Sequence, residues 1–208
     1  RHTLQQQYRQ ESQRLSELRA QHAAQLNQQI TAQMETLGMP ASRFETRLTP
    51  TGQERPAPHG NETVEFLVST NPGQEPRPLQ KVASGGELSR ISLAIQVILA
   101  HRTDTPTLIF DEVDVGIGGG TAEVVGRLLR QLGETGQVIC VTHQPQVAAK
   151  SHHHLFVSKQ IGADTTDSQV KLLSPDEKIA EVARMLGGVK MTSQTLAHAQ
   201  EMVAQLSE

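Results

Sequence analysis

Three short stretches carry residue types that could together handle a polyphosphate. The first, Ser84-Gly85-Gly86-Glu87, runs into Ile91 to Ala100, an apolar segment free of glycine and proline. Leu88, Ile91, Ile95 and Leu99 recur at intervals of three and four, which predicts a helix with one buried face. The serine and glycines then stand at the helix entrance, where free backbone N–H groups and the positive dipole end favour an anion. An N-cap serine in a Gly-rich turn accounts for the same residues equally well. The second stretch, Asp111-Glu112, follows the apolar run Thr107 to Phe110. An aspartate at a strand end can hold Mg²⁺, and a neighbouring carboxylate can orient or deprotonate an attacking water. A pair of solvated strand-terminal acids is the plainer alternative. The third, His143, closes the strand-like run Gln137 to Thr142 and has the reach to touch a terminal phosphate. A structural histidine at a strand end is the plainer account of that residue alone.

The elements that must position these groups form a strand–helix–strand unit. Thr107–Phe110 reads as a short buried strand, Val113 to Gly120 as a loop dictated by its four glycines, and Thr121–Leu132 as a helix with Val124, Val125, Leu128 and Leu129 inward. Gly133 is placed as its C-cap. Gln137–Thr142 is the next buried strand. A parallel α/β unit binds ligands beyond the carboxyl ends of its strands, and both the acid pair and His143 lie at that edge. Upstream, 43–48 and 62–69 read as a strand hairpin joined by a Pro/Gly loop. Downstream, 152–159 and 170–173 read as strands, and Ser174-Pro175 with Glu177 marks a capping-box helix start. That helix ends at Gly187-Gly188, and Thr192 to Leu206 forms the last one. Residues 1–39 are Gln-rich, with Leu15, Leu18, Ile30, Met34 and Leu37 along a thin stripe. They read as one long helix, stopped by Gly38 and Pro40. A coiled-coil arm fits this stripe best, with a surface helix packed on the domain as the alternative.

Composition narrows the class. The chain has 208 residues, a formal charge of −3, 2% aromatics and a single cysteine. No basic surplus announces nucleic acid, though a local patch stays possible. So few aromatics disfavour stacking on single strands, and one cysteine offers no disulfide framework. No apolar run reaches membrane-spanning length, and the first twenty residues do not resemble a signal peptide. The expectation is a soluble, cytoplasmic protein. Cys140, inside an apolar strand, is expected to pack as a small hydrophobe. His152-His153-His154 cannot converge on one ion from a strand, where alternate side chains face opposite ways. Arg90, one turn into its helix, is either phosphate-directed or an ion-pair partner.

Together these stretches resemble the ABC-type ATPases. Ala83-Ser84-Gly85-Gly86-Glu87 is similar to their signature motif, Thr107 to Glu112 to their Walker B strand, and Thr142-His143 to their switch histidine. The preceding helix points to the SMC-like branch. Phe66 to Gly73, Pro78 to Arg90, Asp111 to Gly118, Val141 to Ala148 and Ala183 to Gly188 resemble DNA-repair ATPases of that branch. The resemblance implies an α/β fold, the carboxyl-terminal half of an ABC-type ATPase head carrying an N-terminal coiled-coil helix, with 1–39 as the returning arm and 40–208 as the lobe. It implies ATP and Mg²⁺ as cofactors, with Asp111 supporting the metal, Glu112 as general base and His143 sensing the γ-phosphate. Ser84, Gly85, Gly86 and Glu87 would form the nucleotide-contacting signature, facing ATP bound to the other subunit. It further implies a homodimer of heads sandwiching two ATP molecules, and DNA as a partner in double-strand break repair. The setting would be the nucleoid-associated cytoplasm, with no membrane partner.

Two departures qualify the likeness. Gly118 stands where many relatives carry an aspartate, and no Gly-x-x-x-x-Gly-Lys-[Ser/Thr] loop occurs anywhere. Without that loop nothing cradles the β-phosphate in cis. The chain alone is therefore expected to be inactive, starting midway along the returning arm and needing an N-terminal half that carries the P-loop. Other SMC-like or ABC-type subunits, and a non-catalytic interaction module, are the competing readings.

Overall fold

The computed structural model describes residues 2–52, 56–82, 84–100, 105–161, 166–188 and 191–205. Arg1, Ala83 and Leu206, which the sequence places in the first helix, the signature and the last helix, lie outside the described residues. The chain divides into two compact units, 1–98 and 99–208.

In the first unit a helix, α1 (His2–Thr36), is followed by strands β1 (Arg43–Pro50), β2 (Glu62–Ser69) and β3 (Arg77–Pro78) in an antiparallel sheet of order β1-β2-β3. Ile30, Met34 and Leu37 are fully buried, whereas Leu15 and Leu18 keep 36% and 43% of their surface. The stripe is thus an apolar anchor at one end only. Further along, polar pairs take over: the Tyr8 hydroxyl donates to Asn61 Oδ1 at 3.1 Å, Asn61 donates to Ser12 Oγ at 3.0 Å, and Arg19 meets Glu62 at 3.1 Å. Two helix side chains one turn apart, Thr31 and Asn27, accept the Phe44 and Thr46 amides at 3.0 and 2.7 Å. They supply the partners that a neighbouring strand would otherwise give the edge strand β1. Gly38, at φ 77°, turns the chain out of the helix.

Helix α2 (Gly85–Leu99) closes this stretch. Its buried residues are Gly86, Arg90, Ile91, Leu93 and Ala94, while Leu88 is 40% exposed. The inward face is therefore rotated from the expected stripe: Leu88 points outward and an arginine takes an inward position.

The second unit begins with β4 (Thr107–Phe110), α3 (Gly119–Leu132), β5 (Gln137–Cys140) and α4 (Pro145–Lys150). β4 and β5 pair in parallel, Thr107 with Gln137 through Phe110 with Cys140. Both were expected to be buried strands. Instead Ile109, Ile139 and Val141 are 71%, 43% and 60% exposed. In a two-stranded sheet packed by helix on one side, alternate side chains face outward uncovered. The inward face of α3 is as expected, with Val125, Leu128 and Leu129 buried and Val124 half-buried. Its C-cap is Gly133, in right-handed rather than left-handed backbone.

An antiparallel hairpin follows, β6 (Leu155–Ile161) and β7 (Thr166–Leu172), then α5 (Pro175–Gly187) and α6 (Ser193–Ala204). The capping box forms as expected: Ser174 Oγ accepts from the Glu177 amide and Glu177 accepts from the Ser174 amide. Ala148, Ala149, Val182, Ala183 and Ala199 join α4, α5 and α6 in one small core.

α3 and α4 meet at a glycine. A Cβ at Gly126 would lie 3.0 Å from the Gln146 carbonyl oxygen and 3.1 Å from Val147 Cα. Alanine gains about 1 kcal/mol in helix propensity, but overpacking against backbone costs about 1–3 kcal/mol. Gly126→Ala is expected to lower stability by up to about 2 kcal/mol, and Gly126→Val by more. Urea midpoints check this, and a midpoint at or above the parent's would contradict the close approach.

Candidate functional site

Because β4 and β5 run in parallel, both loops that could do chemistry leave the same end of the pair. Phe110 is buried, and Asp111 and Glu112 emerge directly beyond it, both exposed. Glu112 adopts φ 58°, the only non-glycine positive φ among the described residues. Left-handed backbone disfavours a side chain with a Cβ, and such strain concentrates at functional positions. The turn is closed by the Val115 amide donating to the Glu112 carbonyl at 3.2 Å. Its effect is to throw Glu112 outward and Val113 and Asp114 inward, at 0% and 1% exposure.

Asp114 is the residue that sequence reasoning missed. The Thr142 hydroxyl donates to its Oδ2, and so do the amides of His143 and Gln144, at 3.2 and 3.3 Å. Its Oδ1 lies 3.6 Å from His143 Nδ1, facing the ring nitrogen at more than hydrogen-bond distance. A second tie runs alongside: Gln144 Nε2 donates to the Ile117 carbonyl at 2.9 Å. The Val141 amide extends the strand pairing by donating to the Phe110 carbonyl at 3.0 Å. The loop after the acid pair and the turn bearing His143 are therefore stitched together, with the His143 ring itself 66% exposed. The available signal was an aspartate embedded in the apolar and glycine-rich run Val113 to Gly120, facing a strand that ends in threonine.

Cys140, beneath these loops, has its thiol pushed up to about 12, first by burial and then by the charges of Asp114 and Asp111. It behaves as a small packing residue.

The Ser84 stretch belongs to the first unit. Ser84 and Gly85 are exposed, and Ser84 Oγ accepts the Glu87 amide at 3.3 Å while its carbonyl accepts the Leu88 amide at 3.0 Å. This is the capping geometry, and it leaves the hydroxyl proton available to a further acceptor. Arg90 is buried, and burial lowers its pKa, opposed by the nearby Glu87 charge. Among the described residues no group of three or more His, Cys, Asp or Glu is placed to hold a metal ion, and His152 and His153 are exposed.

Comparison with known proteins gives a consistent answer. The DNA repair protein RecN of Vibrio cholerae is 53% identical over 190 residues, covering 91% of this chain and 34% of that protein. The DNA repair protein RecN of Bacillus subtilis is 37% identical over 211 residues, covering 95% of this chain and 37% of that protein. Over nearly its whole length the chain resembles the RecN proteins. It matches the carboxyl-terminal portion of RecN and spans about a third of the length of these relatives. No protein-family model matches. Among solved structures, an Smc head domain with a coiled coil and joint from Pyrococcus yayanosii aligns with a TM-score of 0.55 at 20% identity, over 79% of this chain and 29% of that one. That likeness gives the fold: it resembles an SMC head domain, over a stretch consistent with the carboxyl-terminal half.

In this chain the positive φ at Glu112 has a measurable cost. Glycine takes that conformation freely, so Glu112→Gly is expected to be more stable than Glu112→Ala by about 1 kcal/mol. Equal thermal midpoints would show that the backbone is not held there.

Proposed function

We propose that this chain is the carboxyl-terminal lobe of a RecN ATPase head that works in DNA double-strand break repair and recombination. The observation that carries the reading is an exposed acid pair and an exposed histidine at one end of a parallel strand pair, on loops joined through Asp114. In this reading Asp111 helps hold Mg²⁺. A strand-end carboxylate suits that ion, which takes one or two protein carboxylates and completes its shell with phosphate and water. Bound there, Mg²⁺ would neutralise phosphate charge. Glu112, thrown outward by its backbone, accepts a proton from the attacking water. His143 contacts the terminal phosphate. Ser84 and the amides of Gly85 and Gly86, at the mouth of α2 with Glu87 in its first turn, face the nucleotide of a second head. Helix entrances of this kind suit phosphate oxygens.

The P-loop comes from an N-terminal half, and 1–39 is the returning arm that leads toward it. The uncovered apolar residues support a complementing lobe. Ile109, Ile139 and Val141 stand out from the parallel pair, and Leu155, Val157, Val170 and Leu172 from the hairpin. Leu155 pairs with Leu172 and Val157 with Val170, so these four share one hairpin face. Apolar patches of this kind mark contact surfaces. Two completed heads close around two ATP molecules, and DNA binds the assembled protein in the nucleoid. No described helix is long and apolar enough to cross a membrane.

Produced with its P-loop half, the chain is expected to turn over ATP, while alone it does not. In that assembly Glu112→Gln should cut kcat by about 10²–10⁴-fold and leave nucleotide-bound dimers that persist on size exclusion. Normal turnover by Glu112→Gln would remove Glu112 as the base.

A further inference from the structure

The Asp114 carboxylate is 1% exposed, and a buried charge persists only where donors replace the lost water. Here the donors come from three consecutive residues. The Thr142 hydroxyl and the His143 and Gln144 amides all converge on one oxygen, Oδ2. Among the described residues, the basic side chain that Asp114 meets is the His143 ring and not a lysine or arginine. Its other oxygen faces His143 Nδ1 at 3.6 Å. A carboxylate on that side of an imidazole favours the proton on Nδ1 and fixes the ring's orientation. The far ring nitrogen, Nε2, then carries the lone pair, and the Gln144 side-chain nitrogen, its own Nε2, sits 3.5 Å from it. Gln144 is itself held by the Ile117 carbonyl. The ring, its backbone and its neighbour are thus all referenced to the loop that begins at Glu112.

We propose that Asp114 is a positioning residue that sets the backbone, ring orientation and tautomer of His143 and keeps it in register with Glu112. This rests on the role given to His143 above. Asp114 touches no substrate in this scheme and acts through the histidine alone. Any displacement of the 113–118 loop is carried to His143 through the carboxylate, and the reverse also holds.

The test uses the assembled ATPase with its P-loop half. Asp114→Asn keeps an acceptor oxygen for the amides but removes the charge, and its NH₂ can donate to Nδ1. It is expected to lower kcat about 10–100-fold with little change in the KM for ATP. It should add nothing to the loss caused by His143→Ala, because both remove one unit. In protein labelled with ¹⁵N-histidine, the His143 signals, assigned by their absence in His143→Ala, should move from the Nδ1-protonated form toward the Nε2-protonated form. Full turnover by Asp114→Asn, an unchanged tautomer, or a loss that multiplies with that of His143→Ala overturns the proposal. If Asp114→Asn fails to fold, Thr142→Val decides. It should lower kcat in the parent and leave the His143→Ala background unaffected, and an equal loss in both backgrounds overturns the coupling. Full turnover by His143→Ala would instead remove the role assigned to the histidine itself, and the proposal with it.

Discussion

Parallel pairing of two four-residue strands is the constraint from which the site follows. Antiparallel strands would send their chain exits to opposite ends; β4 and β5 send both to one end. Everything reactive in the second unit then depends on what the chain does in the few residues past Phe110 and Cys140. A short ladder is a weak clamp by itself, so the helices that follow must hold it. α3 begins a few residues beyond the acid pair and α4 two residues beyond His143, and the two touch closely because Gly126 has no side chain. Arg130 also donates to the carbonyl of Lys150 at 3.0 Å, tying the far end of α4 back to α3. The loops sit on a frame fixed at several points.

A strained glutamate beside a satisfied aspartate shows how the turn divides its labour. Backbone hydrogen bonding closes the turn and Asp114 anchors it by burial, so Glu112 can be held in a conformation it would not adopt alone. The inward aspartate supports the outward one-residue excursion. Two carboxylates two positions apart thereby take opposite environments, one exposed and one sealed, though they are the same kind of group.

Much of this was readable from the chain before any coordinates. The chemistry-bearing stretches declared themselves by order and company: Ser-Gly-Gly before an apolar helix, an acid pair after three apolar residues, a histidine at the next strand's end. Caps were readable too, since Ser174-Pro175 with Glu177 has one sensible local structure. What stayed hidden depends on tertiary partners. Val64 and Phe66 belong to an apolar-rich strand yet keep much of their surface, while Leu67 and Val68 beside them are buried. Periodicity reports that a face is apolar, not that anything covers it. Ile109 and Ile139 are the same lesson on the parallel pair. The rotation of α2 that turns Arg90 inward and Leu88 outward breaks a pattern that spacing favoured, because packing outranks periodicity in choosing a face. Asp114 could not be singled out because its donors lie twenty-eight to thirty residues away along the chain.

The thiol below the loops carries a chemical consequence of its own. Peroxides and alkylating agents attack the sulfur anion, and with its pKa pushed up to about 12 Cys140 offers little of that anion near neutrality. As the sequence contains no second cysteine, disulfide exchange at this stretch of chain depends on one thiol held mainly in its protonated form, and mixed disulfides should form there slowly.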